Sequence, residues 1–270
     1  MARTDKKLAE LRKTIKSFGS LAVAFSGGTD STLVAKIASD ELGAKAVAFT
    51  INSPVYPESE LLKAKEVASK IGIEHVVLQT DPLCDKSFVA NPPDRCYLCK
   101  LEDMGAIKEA ASAMNLRVVA DGSNADDSKD YRPGIRARKE LGVRSPLAEV
   151  KLTKDEIRKI SKSLRLPTAD KRASPCLASR IPYGQSITRE KLRMIEEAEE
   201  FLRAKGFEDV RVRLHDGVGR IEVAAKDIPR LAAPGTRIAV SKKLRSLGFS
   251  YIALDLEGYR MGSLNEVLRR

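Results

Sequence analysis

Apolar positions along the first part of the chain alternate between two rhythms. Leu8, Leu11, Ile15 and Phe18 recur every third or fourth residue, which predicts an amphipathic helix with one buried face, stopped at Gly19. A continuous apolar run over 21–25 follows, as in a strand covered on both sides. The chain then turns through Ser26-Gly27-Gly28-Thr29-Asp30-Ser31 into a helix carrying Leu33, Val34, Ile37 and Ala38 up to Gly43. The alternation repeats with a strand over 46–51, a helix over 58–71 closed by Gly72, a strand over 75–78, a helix over 100–114 and a strand over 117–120. Strands separated by helices of this length predict an α/β fold, a parallel sheet with helices on both faces. Thr153-Lys154-Asp155-Glu156 is a capping box that opens one more helix, ending near Leu166-Pro167.

Beyond Thr188 the texture changes. A helix over 189–205, stopped by Gly206, leads to two strands of period-two alternation over 210–214 and 220–224, and a further strand is expected over 251–256. The short turn His215-Asp216-Gly217 makes the first two antiparallel. This predicts a smaller α+β C-terminal domain. Two domains suit 270 residues, since domains run to about 100–200 residues each, and the division is placed at 1–170 and 171–270.

Composition narrows the class. With 43% hydrophobic, 31% charged and 5% aromatic residues, the chain reads as an ordinary globular protein. Its longest apolar runs fall far short of the roughly 20 residues of a membrane-spanning helix. The N-terminus leads directly into the amphipathic helix without the apolar core of a signal peptide, so a cytoplasmic location is expected. Four cysteines are too few for a disulfide scaffold, but Cys96 and Cys99 form a C-x-x-C, which in a reducing compartment points to metal or redox chemistry. The net charge of +11 favours anionic partners. Because the basic residues are spread along the chain, a phosphorylated small molecule answers to that charge at least as well as a nucleic acid.

The glycine loop is the strongest chemical signal. It stands at the carboxyl end of a strand and the amino end of a helix, where open α/β sheets bind ligands. Gly27 and Gly28 remove Cβ atoms that would hold the backbone away from phosphate oxygens, and the first N–H groups of the helix point at the anion. Ser26 and Ser31 add hydroxyl donors, and Asp30 supplies a carboxylate able to hold Mg²⁺ against the phosphates. The alternative is a tight turn in which serine caps the helix. The full string S-G-G-x-D-S resembles the PP-loop of ATP pyrophosphatases and is neither a Walker A motif nor a Rossmann fingerprint. The resemblance implies that ATP is cleaved between its α- and β-phosphates and that adenine is held at the end of the second strand, with Thr50 and Ser53 among the contacts.

Three further strings narrow the resemblance: Asn91-Pro-Pro-Asp-Arg-Cys96-Tyr-Leu-Cys99-Lys100, Asp121-Gly-Ser-Asn124-Ala-Asp-Asp127 with Tyr131-Arg132-Pro-Gly-Ile-Arg136, and Ser174-Pro-Cys176-Leu-Ala-Ser-Arg180. Together with the loop and with Arg211-Val-Arg213 they resemble the LarE family of PP-loop sulfurtransferases over nearly the whole chain. That resemblance implies adenylylation of a carboxylate of pyridinium-3,5-biscarboxylic acid mononucleotide, followed by delivery of sulfur to the activated carbon, for nickel-pincer cofactor synthesis. Asn124 and Asp127 would join the ATP site. Arg132, Arg136, Arg180 and Arg213 would meet phosphate, although each alone is equally a surface charge. A small phosphorylated substrate, a sulfide donor and a homo-oligomer are the expected partners.

Cys176 lies in a segment with no helical or strand period, hence in a loop, where reactive groups are usually placed. By position it matches the family's sulfur-supplying cysteine, which in some members is sacrificed and left as dehydroalanine. Here Cys96 and Cys99 are present as well, the set that some relatives use with the third cysteine to hold a [4Fe–4S] cluster carrying sulfide. A zinc site with His75 or His215, or a reversible disulfide, is the remaining alternative. Cys84 matches no motif. Glu200, Glu222 and Asp227 could bind a divalent metal in an oligomer, with solvated charge as the plainer reading. Competing functions are a tRNA thiolase, disfavoured by the scarcity of aromatic stacking platforms, an amidating enzyme with no need of the cysteines, and a nucleotide sensor without turnover.

Overall fold

A computed structural model of the chain describes residues 2–127, 133–172, 174–260 and 264. The N-terminal elements are α1 (Ala2–Ser17), β1 (Leu21–Ala24), α2 (Thr29–Leu42), β2 (Ala46–Asn52), α3 (Glu58–Ile71), β3 (Glu74–Gln79), α4 (Lys86–Val89), α5 (Arg95–Ala113), β4 (Val118–Ala120), α6 (Gly134–Glu140), α7 (Pro146–Glu149) and α8 (Lys154–Ser163). The four strands form a parallel sheet in the order β3-β2-β1-β4. Side chains alternate between its faces as strand geometry requires. Leu21, Val23, Ala46 and Ala48 pack with Leu11 and Ile15 of α1 and Leu33 and Ile37 of α2. Ala22, Val47 and Phe49 pack on the other face with Met104, Ile107 and Ala111 of α5. Helices cover both faces, which is why the strands read as unbroken apolar runs. Each fully buried Leu or Ile of this core contributes about 1.5–3 kcal/mol.

The strand order has a functional consequence. From β1 the chain moves outward to β2 on one side, and β4 later occupies the other side. The connections after β1 and β4 therefore diverge, leaving a crevice at the carboxyl ends of the strands.

Two local expectations change. The helix expected over 100–114 begins at Arg95, so the C-x-x-C lies in its first turns. Pro92 and Pro93 stand just before it, and proline is compatible with the approach to a helix. The expected division at 170 also differs from the grouping observed. One compact unit comprises Met1–Pro82 and Pro93–Ser174, the other Leu83–Pro92 and Pro175–Arg270. The short segment joins the second unit through Asn91, which is wholly buried. Its amide donates to the Pro182 and Gln185 carbonyls at 2.7 and 3.0 Å, while Ile187 N–H donates to the Val89 carbonyl at 2.9 Å.

The second unit contains α4, α9 (Arg189–Ala204), β5 (Val210–His215), β6 (Val218–Val223), α10 (Ile228–Ala232), α11 (Pro234–Ser246) and β7 (Tyr251–Leu254). β5 and β6 pair antiparallel, whereas β7 joins β6 in parallel. A parallel neighbour needs a crossover, which α10 and α11 supply. α11 was not among the expected elements, and it opens with Pro234 and Gly235. Proline at the first helical position is preorganised for the turn. Among the described residues no helix is long and apolar enough to cross a membrane.

Candidate active site

β1 feeds the glycine loop, and Phe25 N–H donates to the Phe49 carbonyl at 2.8 Å, extending the sheet contact past the strand. The two glycines have different tasks. Gly27 has φ +61°, and a Cβ there would lie 2.9 Å from Ala64 Cα on α3, so it serves the loop's own conformation and packing. Gly28 has an ordinary φ of −84° and faces the cavity. Ser26 and Ser31 Oγ lie 3.1 Å apart, and Gly28 N–H approaches Ser26 Oγ at 3.4 Å. These hydroxyls hold the loop as well as lining it.

α2 begins at Thr29, so the free N–H groups of its first turn open onto the same space. A cavity of about 590 Å³ lies there. The loop residues Ser26, Gly28 and Ser31 line it, and so do the apolar side chains of Phe49, Ile51, Met104 and Ile107. Apolar lining together with an anion-binding loop suits a heteroaromatic base linked to phosphates.

Gly122 completes the loop from β4. A Cβ on Gly122 would fall 2.7 Å from Ser31 N and 3.1 Å from the carbonyl carbon of Asp30. Gly122→Ala must therefore displace the first turn of α2. The expected result is Mg-ATP binding weakened about tenfold or more and a stability loss of about 1–3 kcal/mol. Calorimetric titration and a thermal melt measure the two effects.

Cations meet carboxylates around the cavity. Lys154 Nζ is 2.7 Å from both carboxylate oxygens of Asp30. Lys171 Nζ is 2.7 Å from Glu60, and Arg138 bonds to Asp121. Sequence reasoning nominated none of these three cations. Lys154 did carry a signal, because it opens α8 inside the capping box, where the helix dipole disfavours a positive charge. Its partner Asp30 supplies the missing reason. Lys171 and Arg138 had no comparable local anomaly.

The remaining nominated residues are placed unevenly. Asp127 lines the cavity, and its carboxylate accepts Asn124 N–H at 3.1 Å. The Asn124 amide approaches Asp30 at 3.4 Å. Thr50 lines the cavity but donates its hydroxyl to the Phe25 carbonyl at 2.7 Å and lies 2.7 Å from His75 Nε2. Ser53 is buried, and its hydroxyl has no hydrogen-bond partner among the described residues. Arg136 stacks over Tyr97 at 3.6 Å and pairs with Glu140 at 3.5 Å, while Arg138, one half-turn on, reaches the cavity. Arg132 lies outside the described residues.

Cys96 and Cys99 stand on one face of α5, one turn apart. Cys96 is exposed and lines the cavity, whereas Cys99 is buried with its sulfur 3.8 Å from both Tyr56 OH and Asp103. Asp103 is itself buried and accepts from Tyr56 OH at 2.7 Å, Lys100 at 3.2 Å and Thr80 at 3.2 Å. Within neither unit, among the described residues, do three Cys, His, Asp or Glu side chains gather as a metal-ligand set.

Cys176 belongs to the second unit, immediately before the tight turn Leu177–Arg180. Arg180 and Arg213, expected at a substrate phosphate, have other employment. Arg180 is wholly buried and makes two bonds to Glu199, at 2.8 and 2.9 Å. Its remaining amine donates to the Pro175 and Cys176 carbonyls at 2.8 and 2.9 Å. Arg213 pairs with Glu222 at 2.6 and 3.1 Å and donates to the Ser179 carbonyl at 2.8 Å. A buried charge needs such compensation, and here it also fixes the backbone around Cys176. Burial would raise the Glu199 pKa, but Arg180, with Arg211 and Arg203, outweighs it and holds the carboxyl below its ordinary value. Glu222 is likewise buried, shared by Arg213 and Arg220, rather than solvated.

Strand, glycine loop and helix at the switch of a parallel sheet, opening onto a partly apolar cavity, define a PP-loop ATP pyrophosphatase unit. A family model described as asparagine synthase matches residues 9–88. The chain is 37% identical over 271 residues to pyridinium-3,5-bisthiocarboxylic acid mononucleotide synthase of Lactiplantibacillus plantarum, covering 100% of this chain and 98% of that protein. It is 45% identical over 266 residues to an uncharacterized protein of Synechocystis, covering 98% and 99% respectively. With a GMP synthase of Aeropyrum pernix it shares 27% over 222 residues, 74% of this chain and 43% of that one. The chain belongs to the LarE family, that of pyridinium-3,5-bisthiocarboxylic acid mononucleotide synthase.

Proposed function

We propose that the protein is an ATP-dependent sulfurtransferase that adenylylates a carboxylate of pyridinium-3,5-biscarboxylic acid mononucleotide and converts it to a thiocarboxylate in the cytoplasm. The observation that carries this reading is the glycine loop opening into one partly apolar cavity, in a chain matched over its full length by the synthase. A carboxylate is a poor electrophile because its leaving group would be oxide. Attack of a carboxylate oxygen on the α-phosphorus expels pyrophosphate and leaves an acyl-adenylate. A sulfur nucleophile then attacks the acyl carbon, and AMP departs with the electron pair.

The residues suit the first step. As many carboxylates as cations line the cavity, so the protein alone does not neutralise a tetra-anionic nucleotide. Mg²⁺ held by Asp30 and Asp127 would supply the missing positive charge, which hard carboxylate oxygens favour. Lys154, released from Asp30 by the metal, would be freed to meet a phosphate.

For sulfur delivery, Cys176 is the residue we assign. Cys96 and Cys99 offer two thiols on one helix face, a chemically fitting part of an iron–sulfur ligand set. With Cys176 they would hold a [4Fe–4S] cluster, which when bound supplies a site for exchangeable sulfide. In the second reading Cys176 spends its own sulfur, a route that needs no contribution from Cys96 or Cys99. Anaerobic purification with iron analysis and mass spectrometry separates them. The cluster reading expects about four irons per chain, an intact Cys176 after turnover, and iron loss on replacing any of the three cysteines. Iron-free protein that works once and ends with dehydroalanine at position 176 contradicts it. Carboxylate-dependent release of pyrophosphate tests the function as a whole.

A further inference from the structure

Beside the glycine loop, Lys171 occupies a position that its neighbours define closely. Its ammonium lies 3.0 Å from the Gly27 carbonyl oxygen and 2.7 Å from Glu60 Oε2, and both side chains line the cavity. Only 18% of the lysine and 19% of the glutamate side chain is exposed. The backbone behind the lysine is tied to the loop as well. Thr29 Oγ1, at the first residue of α2, donates to the Thr168 carbonyl at 2.7 Å and approaches that of Lys171 at 3.4 Å.

On the opposite side, Glu60 and Ala64 stand one turn apart on the same face of α3. Ala64 is the residue against which Gly27 packs. The helix face that shapes the loop thus also supplies the counter-charge of the lysine. Burial would raise the Glu60 pKa, but hydrogen bonding and charge from Lys171, with Lys63, outweigh it and keep the carboxyl below its ordinary value. An ammonium has three N–H donors. Two have protein acceptors among the described residues, one on the loop and one on α3, and the third is left for an oxygen of a ligand.

We propose that Lys171 is a further phosphate-contacting residue, whose third donor meets the pyrophosphate portion of ATP, and that Glu60 is the counter-ion that holds it in place before the nucleotide arrives. The inference rests on the reading of the loop as the ATP site. As a carboxylate oxygen bonds to the α-phosphorus, the bond from that phosphorus to the bridging oxygen breaks, and its electron pair leaves on pyrophosphate. Negative charge grows beside the loop during this step, so a fixed ammonium there stabilises the transition state more than bound ATP.

The test compares the full-length wild type with Lys171→Met, Lys171→Arg and Glu60→Gln. Titration with Mg-pyrophosphate and ATP–pyrophosphate exchange are the readouts, with thermal melts alongside. Lys171→Met is expected to weaken pyrophosphate binding about tenfold or more, the scale of a lost charge-assisted hydrogen bond. Lys171→Arg should recover most of that loss. Glu60→Gln should bind pyrophosphate as tightly as wild type or a few-fold more tightly, about twofold to fivefold, because the lysine no longer shares its charge. A merely structural pair gives a different pattern, since Lys171→Met and Glu60→Gln both remove the ion pair and would weaken binding alike. Equal losses in those two variants, or Lys171→Met affinity within about twofold of wild type, overturns the assignment of Lys171. Should Lys171→Met fail to fold, Glu60→Gln decides the matter by the same criterion. Wild type that binds neither pyrophosphate nor ATP overturns instead the reading of the loop.

Discussion

Cys176→Ala is expected to abolish sulfur delivery while leaving ATP-dependent pyrophosphate release intact. The two half-reactions draw on different parts of the chain. The nucleotide loop, its cations and the apolar lining of the cavity all belong to the first compact unit, whereas Cys176 belongs to the second. The hydrogen bonds that hold the turn around it are accepted by backbone. Carbonyls of Pro175, Cys176 and Ser179 take them from Arg180 and Arg213, and alanine keeps all of them. The loss should therefore be chemical rather than structural, on the order of 10⁴-fold or more in thiocarboxylate formation, as when an enzyme loses its nucleophile. Product mass spectrometry and pyrophosphate release on the same sample measure both halves. Turnover of Cys176→Ala with sulfide at the wild-type rate would remove the assignment. Cys84, exposed and outside every motif, is the control position.

The second large effect is expected at Asp30. Asp30→Asn should lower pyrophosphate release by on the order of 10²–10³-fold, the usual consequence of removing one preorganised electrostatic partner from an active site. The carboxylate has two tasks. Before the nucleotide arrives it holds Lys154 by two 2.7 Å contacts, and in the proposed reaction it would hold Mg²⁺ against the phosphates once the metal releases that lysine. Asparagine retains the shape and the bond to Asn124 but carries no charge, so the lysine and the metal both lose their partner. Because 22% of the Asp30 side chain is exposed, the fold should persist, and an unchanged thermal melt is part of the expectation. The rate constant should fall more than the apparent affinity, since Lys154, unpaired in the variant, still attracts the nucleotide. Unaltered pyrophosphate release would contradict the role given to the loop.

Much of the nucleotide unit was legible in the sequence because it is made of local signals. Unbroken apolar runs announce strands buried on both sides, and the string from Ser26 to Ser31 carries its own geometry. What was not legible depends on contacts between distant segments. Gly122 matters only because β4 brings it against the backbone of Ser31. Glu60 and Lys171 meet across more than a hundred residues, and nothing in either neighbourhood announces the other. Arg180 and Arg213 are a different case. The resemblance led to the expectation of phosphate contacts for both. The fold buries them against Glu199 and Glu222, with further donors on the carbonyls of the turn, and neither string announces those partners. The start of α5 at Arg95 precedes the helix expected over 100–114, and that start puts Cys96 and Cys99 on one face.

The most direct measurement combines the protein, Mg-ATP, pyridinium-3,5-biscarboxylic acid mononucleotide and sulfide under anaerobic conditions, and follows the nucleotide and the acceptor together. The expected result is AMP and pyrophosphate in equal amounts, formed only when the carboxylate is present, with oxygen replaced by sulfur in the acceptor. Formation of ADP and phosphate, or release of pyrophosphate that ignores the acceptor and leaves it without sulfur, would contradict an ATP-dependent sulfurtransferase.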